Sequence, residues 1–172
     1  MNLPMNAMVS SKKMALLLNI IGFQLCWIAC VIGGNLWASL FVSLFMFWHW
    51  WQLKTGELWL IITITLGGTL FDSLLLNLDL LTFPSYEGPL IPLWLILLWT
   101  AFSATLYHSM AWLLKKPLLA AALGAVAAPW SYYAGSLFDA VQLTSPALLL
   151  IASAWALLLG AVALFRRERE SC

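Results

Sequence analysis

Long apolar runs, broken only at charges, glycine and proline, organise this chain. Six of them can be delimited: Met14 to Gly33, Asn35 to Gln52, Leu58 to Leu81, Leu90 to Leu114, Pro117 to Phe138 and Pro146 to Phe165. Each is near the ~20 residues that a helix needs to cross a bilayer's hydrocarbon core. Segments such as Trp94-Leu95-Ile96-Leu97-Leu98-Trp99 and Ala147-Leu148-Leu149-Leu150-Ile151 do not alternate apolar with polar, as the ~10-residue strands of a membrane barrel must. The pattern predicts an all-α polytopic membrane protein. Its six transmembrane helices form one compact bundle over residues 14–165, between tails at 1–13 and 166–172.

Composition agrees and excludes the alternatives. Hydrophobic residues make up 63% of the 172 and charged residues 9%, against roughly 25% charged in an ordinary soluble domain. A soluble fold of this size has too little interior to hide so much apolar surface. That removes soluble enzymes, disordered tails and nucleic-acid binders.

The few charges then orient the bundle. Lys12 and Lys13 precede the first span, and Lys54 separates the second from the third. Lys115 and Lys116 separate the fourth from the fifth, and Arg166, Arg167 and Arg169 follow the sixth. All 8 basic residues therefore fall on one side of a six-span chain. The opposite turns, at Gly34, Thr82–Pro89 and Asp139–Ser145, carry none. The positive-inside rule places both termini in the cytoplasm. Starting at Met14 instead of Met1, Met5 or Met8 would remove two lysines and leave this orientation intact.

Depth singles out Asp72. It lies about 21 Å of helical rise from the start of the third span, in the outer half of the bilayer. An ionisable group there costs roughly 2.5–3.5 kcal/mol even on the lenient insertion scale, so it needs an internal partner or a proton. Thr65, Gly68, Thr69, Asp72, Leu76 and Asp79 follow a helical stripe of small and polar residues, the kind of face that packs against other helices in lipid. Ser131 and Tyr132 lie at matching depth, with Gln24 nearer the midplane. Together Gln24, Asp72, Ser131 and Tyr132 form a candidate polar pocket facing the periplasm. The plainer reading is a carboxylate that staples helices through hydrogen bonds. Pro129 should kink the fifth span beside Ser131 and Tyr132, and kinked helices in membranes often line cavities.

A second polar layer is expected towards the cytoplasm: Asn19, His49, Tyr107 and His108. Two histidines are too few for a metal site, and His49, within Phe47-Trp48-His49-Trp50-Trp51, reads first as part of an interfacial aromatic belt. Thr100, Ser103, Ala104, Tyr107, His108 and Ala111 would form a small-polar stripe on a continuous fourth helix. Asp72 and His108 differ by roughly 18 Å in depth and are not paired. Trp27, Trp99, Trp130 and Trp155 lie deep, where they wall an apolar pocket or face lipid.

Signature motifs are lacking. There is no phosphate-binding glycine loop, no His-Glu-x-x-His and no nucleophile elbow. No arginine lies in any span to clamp a phosphate, so no cofactor and no metal is expected. Cys26 and Cys30 lie inside the first span and Cys172 at the cytoplasmic end, so no disulfide framework is expected.

Several short blocks resemble one family. They are Asn19 with Phe23-Gln24 and Trp27; Asp72-Ser73-Leu74-Leu75 with Phe83-Pro84 and Pro92-Leu93-Trp94; and Pro129-Trp130-Ser131-Tyr132 with Ala134-Gly135. The chain is similar, from about Met14 to Phe165, to the bacterial inner-membrane family designated domain of unknown function 2878. That resemblance implies an inner-membrane location and no established activity. Gln24, Asp72, Ser131 and Tyr132 match its pattern. Asp79 and Asp139 stand where small residues are usual, and Ala128 where glycine is usual, which weakens the two aspartates as site residues.

The leading functional reading is a membrane protein that binds or modifies a lipid-like small molecule around Asp72. Two alternatives stand beside it: a small proton-coupled carrier, expected to oligomerise because six spans rarely form a wide path alone, and a scaffold with no site. The expected partners are the bilayer, a lipid or other hydrophobic small molecule, and further copies of the chain.

Overall fold

The computed structural model describes residues 5–84 and 86–171, and its regular elements are helices and one two-residue strand pair. Helix α1 spans Met5–Trp50 but is two arms, because Gly34 breaks it at φ 61° and ψ −156°. Side chains with a Cβ avoid that conformation. The arms fold back on each other, so that Cys26 and Cys30 of the first pack with Ala38, Val42 and Phe45 of the second. The first arm starts ahead of the apolar run at Met14 and carries Lys12 and Lys13 within the helix. Residues 1–4 and Cys172 lie outside the described residues.

Helix α2 (Glu57–Asn77) leads through strand β1 (Leu81–Thr82) to helix α3 (Leu93–Ser103). A single 3₁₀ turn (Leu113–Lys115) precedes α4 (Pro117–Leu137), strand β2 (Gln142–Leu143) and α5 (Ser145–Ser171). The main packing is α4 on α5, with α1 and α2 each on α3. Three stretches, Lys12–Trp50, Glu57–Asn77 and Ser145–Glu168, are long and apolar enough to cross a membrane. Only 22–39% of their most apolar windows is buried inside the protein, and Leu149, Leu157, Trp59 and Leu118 are each more than 70% exposed. Apolar surface on that scale requires a lipid surround.

Helices α2 and α4 end in the same way. Leu80 N–H reaches back to Leu75 O, and Ala140 N–H to Gly135 O, at 2.9 and 3.1 Å. Asp79 and Asp139 take the left-handed position, with φ of 54° and 55°. This is the Schellman stop, and aspartate tolerates it better than most residues. These two aspartates, weakened as site residues by their departure from the family pattern, are helix terminators. The strands that follow pair antiparallel, Leu81 with Leu143 and Thr82 with Gln142. Asn77 Nδ2 donates to Pro89 O, Ser73 Oγ accepts from Ile91 N–H, and Asn35 Oδ1 accepts from Trp94 N–H. One end of the bundle is thus sewn together by side chain to backbone bonds.

The main departure from the sequence pattern is the fourth span. The apolar run predicts a helix from Leu90 to Leu114, yet α3 stops at Ser103 and residues 104–112 form successive turns. Hydroxyls explain the stop. Thr100 Oγ1 donates to Ile96 O, Ser103 Oγ to Thr100 O and Thr105 Oγ1 to Phe102 O, at 3.1, 2.8 and 2.6 Å, and such bonds compete with the helical ladder. Asn19 then serves the freed backbone: its Nδ2 donates to Ala104 O and its Oδ1 accepts from Ser109 N–H. Irregular backbone at membrane depth is tolerated where protein satisfies it. The stripe from Thr100 to Ala111 is consequently not a helical face.

Candidate functional site

Asp72 is fully buried on the α2 face that packs against α3. Tyr132 of α4 donates its hydroxyl to the carboxylate, lying 2.8 Å from Oδ1 and 2.7 Å from Oδ2. The Trp99 indole of α3 donates to Oδ2 at 2.7 Å. Three helices thus meet at one acidic group. Trp99 fits because residue 68, one turn before Asp72, is glycine: a Cβ there would lie 2.2 Å from the indole ring.

Beside this cluster lies a cavity of about 530 Å³, mostly walled by apolar side chains, within the size range of small-molecule pockets. Phe102, Trp99 and Trp155 form its inner wall, with Trp99 and Trp155 stacked at 4.8 Å. Tyr132, Ser131 and Gln24 supply polar atoms. Asp72 is not part of the lining but sits behind Tyr132 and Trp99, which are. On α4 the lining runs from Leu123 to Ala134, about 16 Å of helical rise. Leu123, Ala127 and Trp130 are exposed on that lining stripe, as is Gln24 on α1 opposite, so the cavity opens sideways. The two sides are joined by Trp27 Nε1, which donates to Ser131 Oγ at 2.9 Å. Gln24 makes no hydrogen bond among the described residues. The unwinding of residues 104–112 shapes the far end, where Met110 and Leu113 line the space.

Of the four pocket residues anticipated from sequence, then, Tyr132 touches Asp72, Ser131 is taken by Trp27, and Gln24 stands at the mouth. Trp99 was not foreseen as a partner. A buried indole needs an acceptor, but nothing in the sequence says which of several deep tryptophans would find this one.

The second polar layer separates into two parts. Asn19 holds the turn segment, as described. His49 and His108 converge on Glu57, a residue the sequence pattern leaves at the edge of a span. His49 Nε2 lies 3.1 Å from Glu57 Oε1, while His108 Nε2 lies 3.0 Å from Oε1 and 3.1 Å from Oε2. The backbone N–H of Lys54 donates to Oε2 at 2.8 Å. His49 and Glu57 are fully buried and His108 nearly so. His49 is thus turned inward, apart from its neighbours Phe47, Trp50 and Trp51, whose rings are exposed. Tyr107 accepts a hydrogen bond from Lys54 Nζ through its carbonyl, and the Arg166 guanidinium lies 5.2 Å from its ring centre. Burial lowers the pKa of the Lys54 ammonium; Glu57 beside it acts in the opposite sense, and Arg166 adds to the lowering.

Residues 16–161 match the model of a family described as "Protein of unknown function (DUF2878)". No curated protein and no solved structure matches the chain.

Proposed function

Since the chain belongs to the family of unknown function DUF2878, whose description assigns no activity, we propose from its geometry that it binds a lipid-like, largely apolar molecule in the cavity between α1, α3, α4 and α5. The observation that carries this reading is the cavity's make-up. Aromatic and aliphatic walls enclose about 530 Å³, while the polar atoms of Gln24, Ser131 and Tyr132 are placed to orient one polar group. Ligand sites combine these two features. Gln24 supports it further, because an unpaired carboxamide at membrane depth is costly and a ligand's polar group would relieve it. The lateral opening supports entry from the bilayer. Asp72 acts here through Tyr132 and Trp99, fixing the two side chains that form the polar wall.

The same reading includes six crossings, with both termini on the cytoplasmic side of a bacterial inner membrane. The break at Gly34 divides α1 into two crossings, and α3 with the turns after it completes a fourth. All 8 basic residues then fall on one side, as the positive-inside rule requires. The polar wall lies towards the opposite, periplasmic side.

Filling the cavity tests the proposal. Ala127→Trp places an indole in the opening while leaving the Asp72 cluster untouched. Solvent extracts of wild-type protein should contain an apolar molecule at close to one per chain, and extracts of the folded variant should have lost most of it. Equal amounts in the two would refute ligand binding at this cavity.

A further inference from the structure

We infer that His49, Glu57 and His108 form a binding site for a divalent transition-metal ion of the Zn²⁺ class, at the end of the bundle remote from Asp72. The inference is independent of the lipid reading. Three ligand-type side chains arrive from three elements: the end of α1, the start of α2 and the turn segment after α3. Their donor atoms all lie within 4.8 Å of one another. Two imidazole nitrogens and a carboxylate are a common catalytic zinc set, which leaves a fourth position open. Ligand atoms bound tetrahedrally at ~2.0–2.2 Å are about 3.3–3.6 Å apart. To admit an ion, the nitrogen–oxygen separations of 3.0–3.1 Å need to open by tenths of an ångström, while the widest donor pair, at up to 4.8 Å, closes by about an ångström through rotation of the imidazoles.

Charge and local structure support the same conclusion. Glu57 is a fully buried carboxylate whose side-chain partners are both histidines. The Lys54 ammonium turns to Tyr107 O instead of the carboxylate. A buried carboxylate calls for a compensating cation, and a metal ion shared with two neutral imidazoles supplies one. The unwinding of residues 104–112, stabilised by Asn19, is what brings His108 to this point, since a continuous helix would carry it elsewhere. One feature limits affinity. His49 Nδ1 is buried without a hydrogen-bond partner, whereas tightly bound metals have histidines whose second nitrogen donates to an acceptor. The ion should therefore be held roughly 10–100-fold less tightly than in a fully supported site, and it should exchange.

The test uses the full chain in detergent, stripped with a chelator and titrated with Zn²⁺ by calorimetry. Wild type should bind one equivalent. Glu57→Gln and His108→Ala should each weaken binding more than tenfold, while the triple variant Cys26→Ala, Cys30→Ala, Cys172→Ser should bind like wild type. In case the ligand variants fold poorly, Co²⁺ added to wild type gives a separate readout: hyperfine-shifted proton signals from two imidazoles. Absence of stoichiometric Zn²⁺ binding to wild type, binding unchanged in folded ligand variants, or bound Co²⁺ without imidazole signals would each overturn the site. In those cases the three side chains are a hydrogen-bonded clamp.

Discussion

Asp72 shows how a costly residue is made tolerable in a membrane helix. Its two oxygens receive the Tyr132 hydroxyl and the Trp99 indole, so the group is both satisfied and immobilised, and its partners become the wall of a cavity. Tyr132→Phe removes only an oxygen but leaves the carboxylate with one side-chain donor. Leaving part of a buried polar group unsatisfied costs about 1–3 kcal/mol, which should appear as a clear fall in the thermal midpoint in detergent. A midpoint equal to wild type would mean that the hydroxyl bond carries no weight. Asp72, Tyr132, Ser131 and Gln24 could be selected from sequence because charge and hydroxyls at depth are rare and depth follows from helical rise. Glu57 could not: at the boundary of an apolar run, an acidic residue looks like any solvated helix start. Only the fold-back of α1 and the unwound segment bring two histidines to it.

At the level of elements, most boundaries follow from local chemistry. Gly34 turns α1, Pro117 opens α4, and Asp79 and Asp139 follow the ends of α2 and α4. The end of α3 was illegible because no lysine, arginine, acidic residue, glycine or proline interrupts the run between Pro92 and Lys115. What stops the helix is a set of hydroxyl-to-carbonyl bonds, together with Asn19, a residue far away in sequence. The pairing of β1 with β2 escaped for a similar reason, since two-residue strands leave no periodic signal. Asn19→Leu is isosteric enough to pack but withdraws both bonds from the turn segment. Each buried backbone group left unpaired costs about 1–3 kcal/mol, so this variant should lose more stability than Tyr132→Phe. Because Met110 and Leu113 line the cavity, it should also lose bound ligand. Retained stability and retained ligand would show that the segment holds its shape without Asn19.

For the whole molecule, the outward-facing leucines describe a bundle solvated by lipid, and the lopsided distribution of basic residues is the basis of the orientation proposed above. A fluorescent protein fused after Cys172 should fluoresce, and alkaline phosphatase inserted at 85 or 140 should be active. A dark C-terminal fusion together with inactive insertions would reverse the orientation. Within that frame the cavity combines an apolar interior, a polar wall and an opening towards lipid. Native mass spectrometry of the wild-type protein, released from mild detergent in the gas phase, examines that claim most directly. The account predicts a population carrying one additional apolar molecule per chain, of a mass that no detergent explains. Bare chains alone, both as purified and after incubation with a total lipid extract of the source membranes, would contradict it.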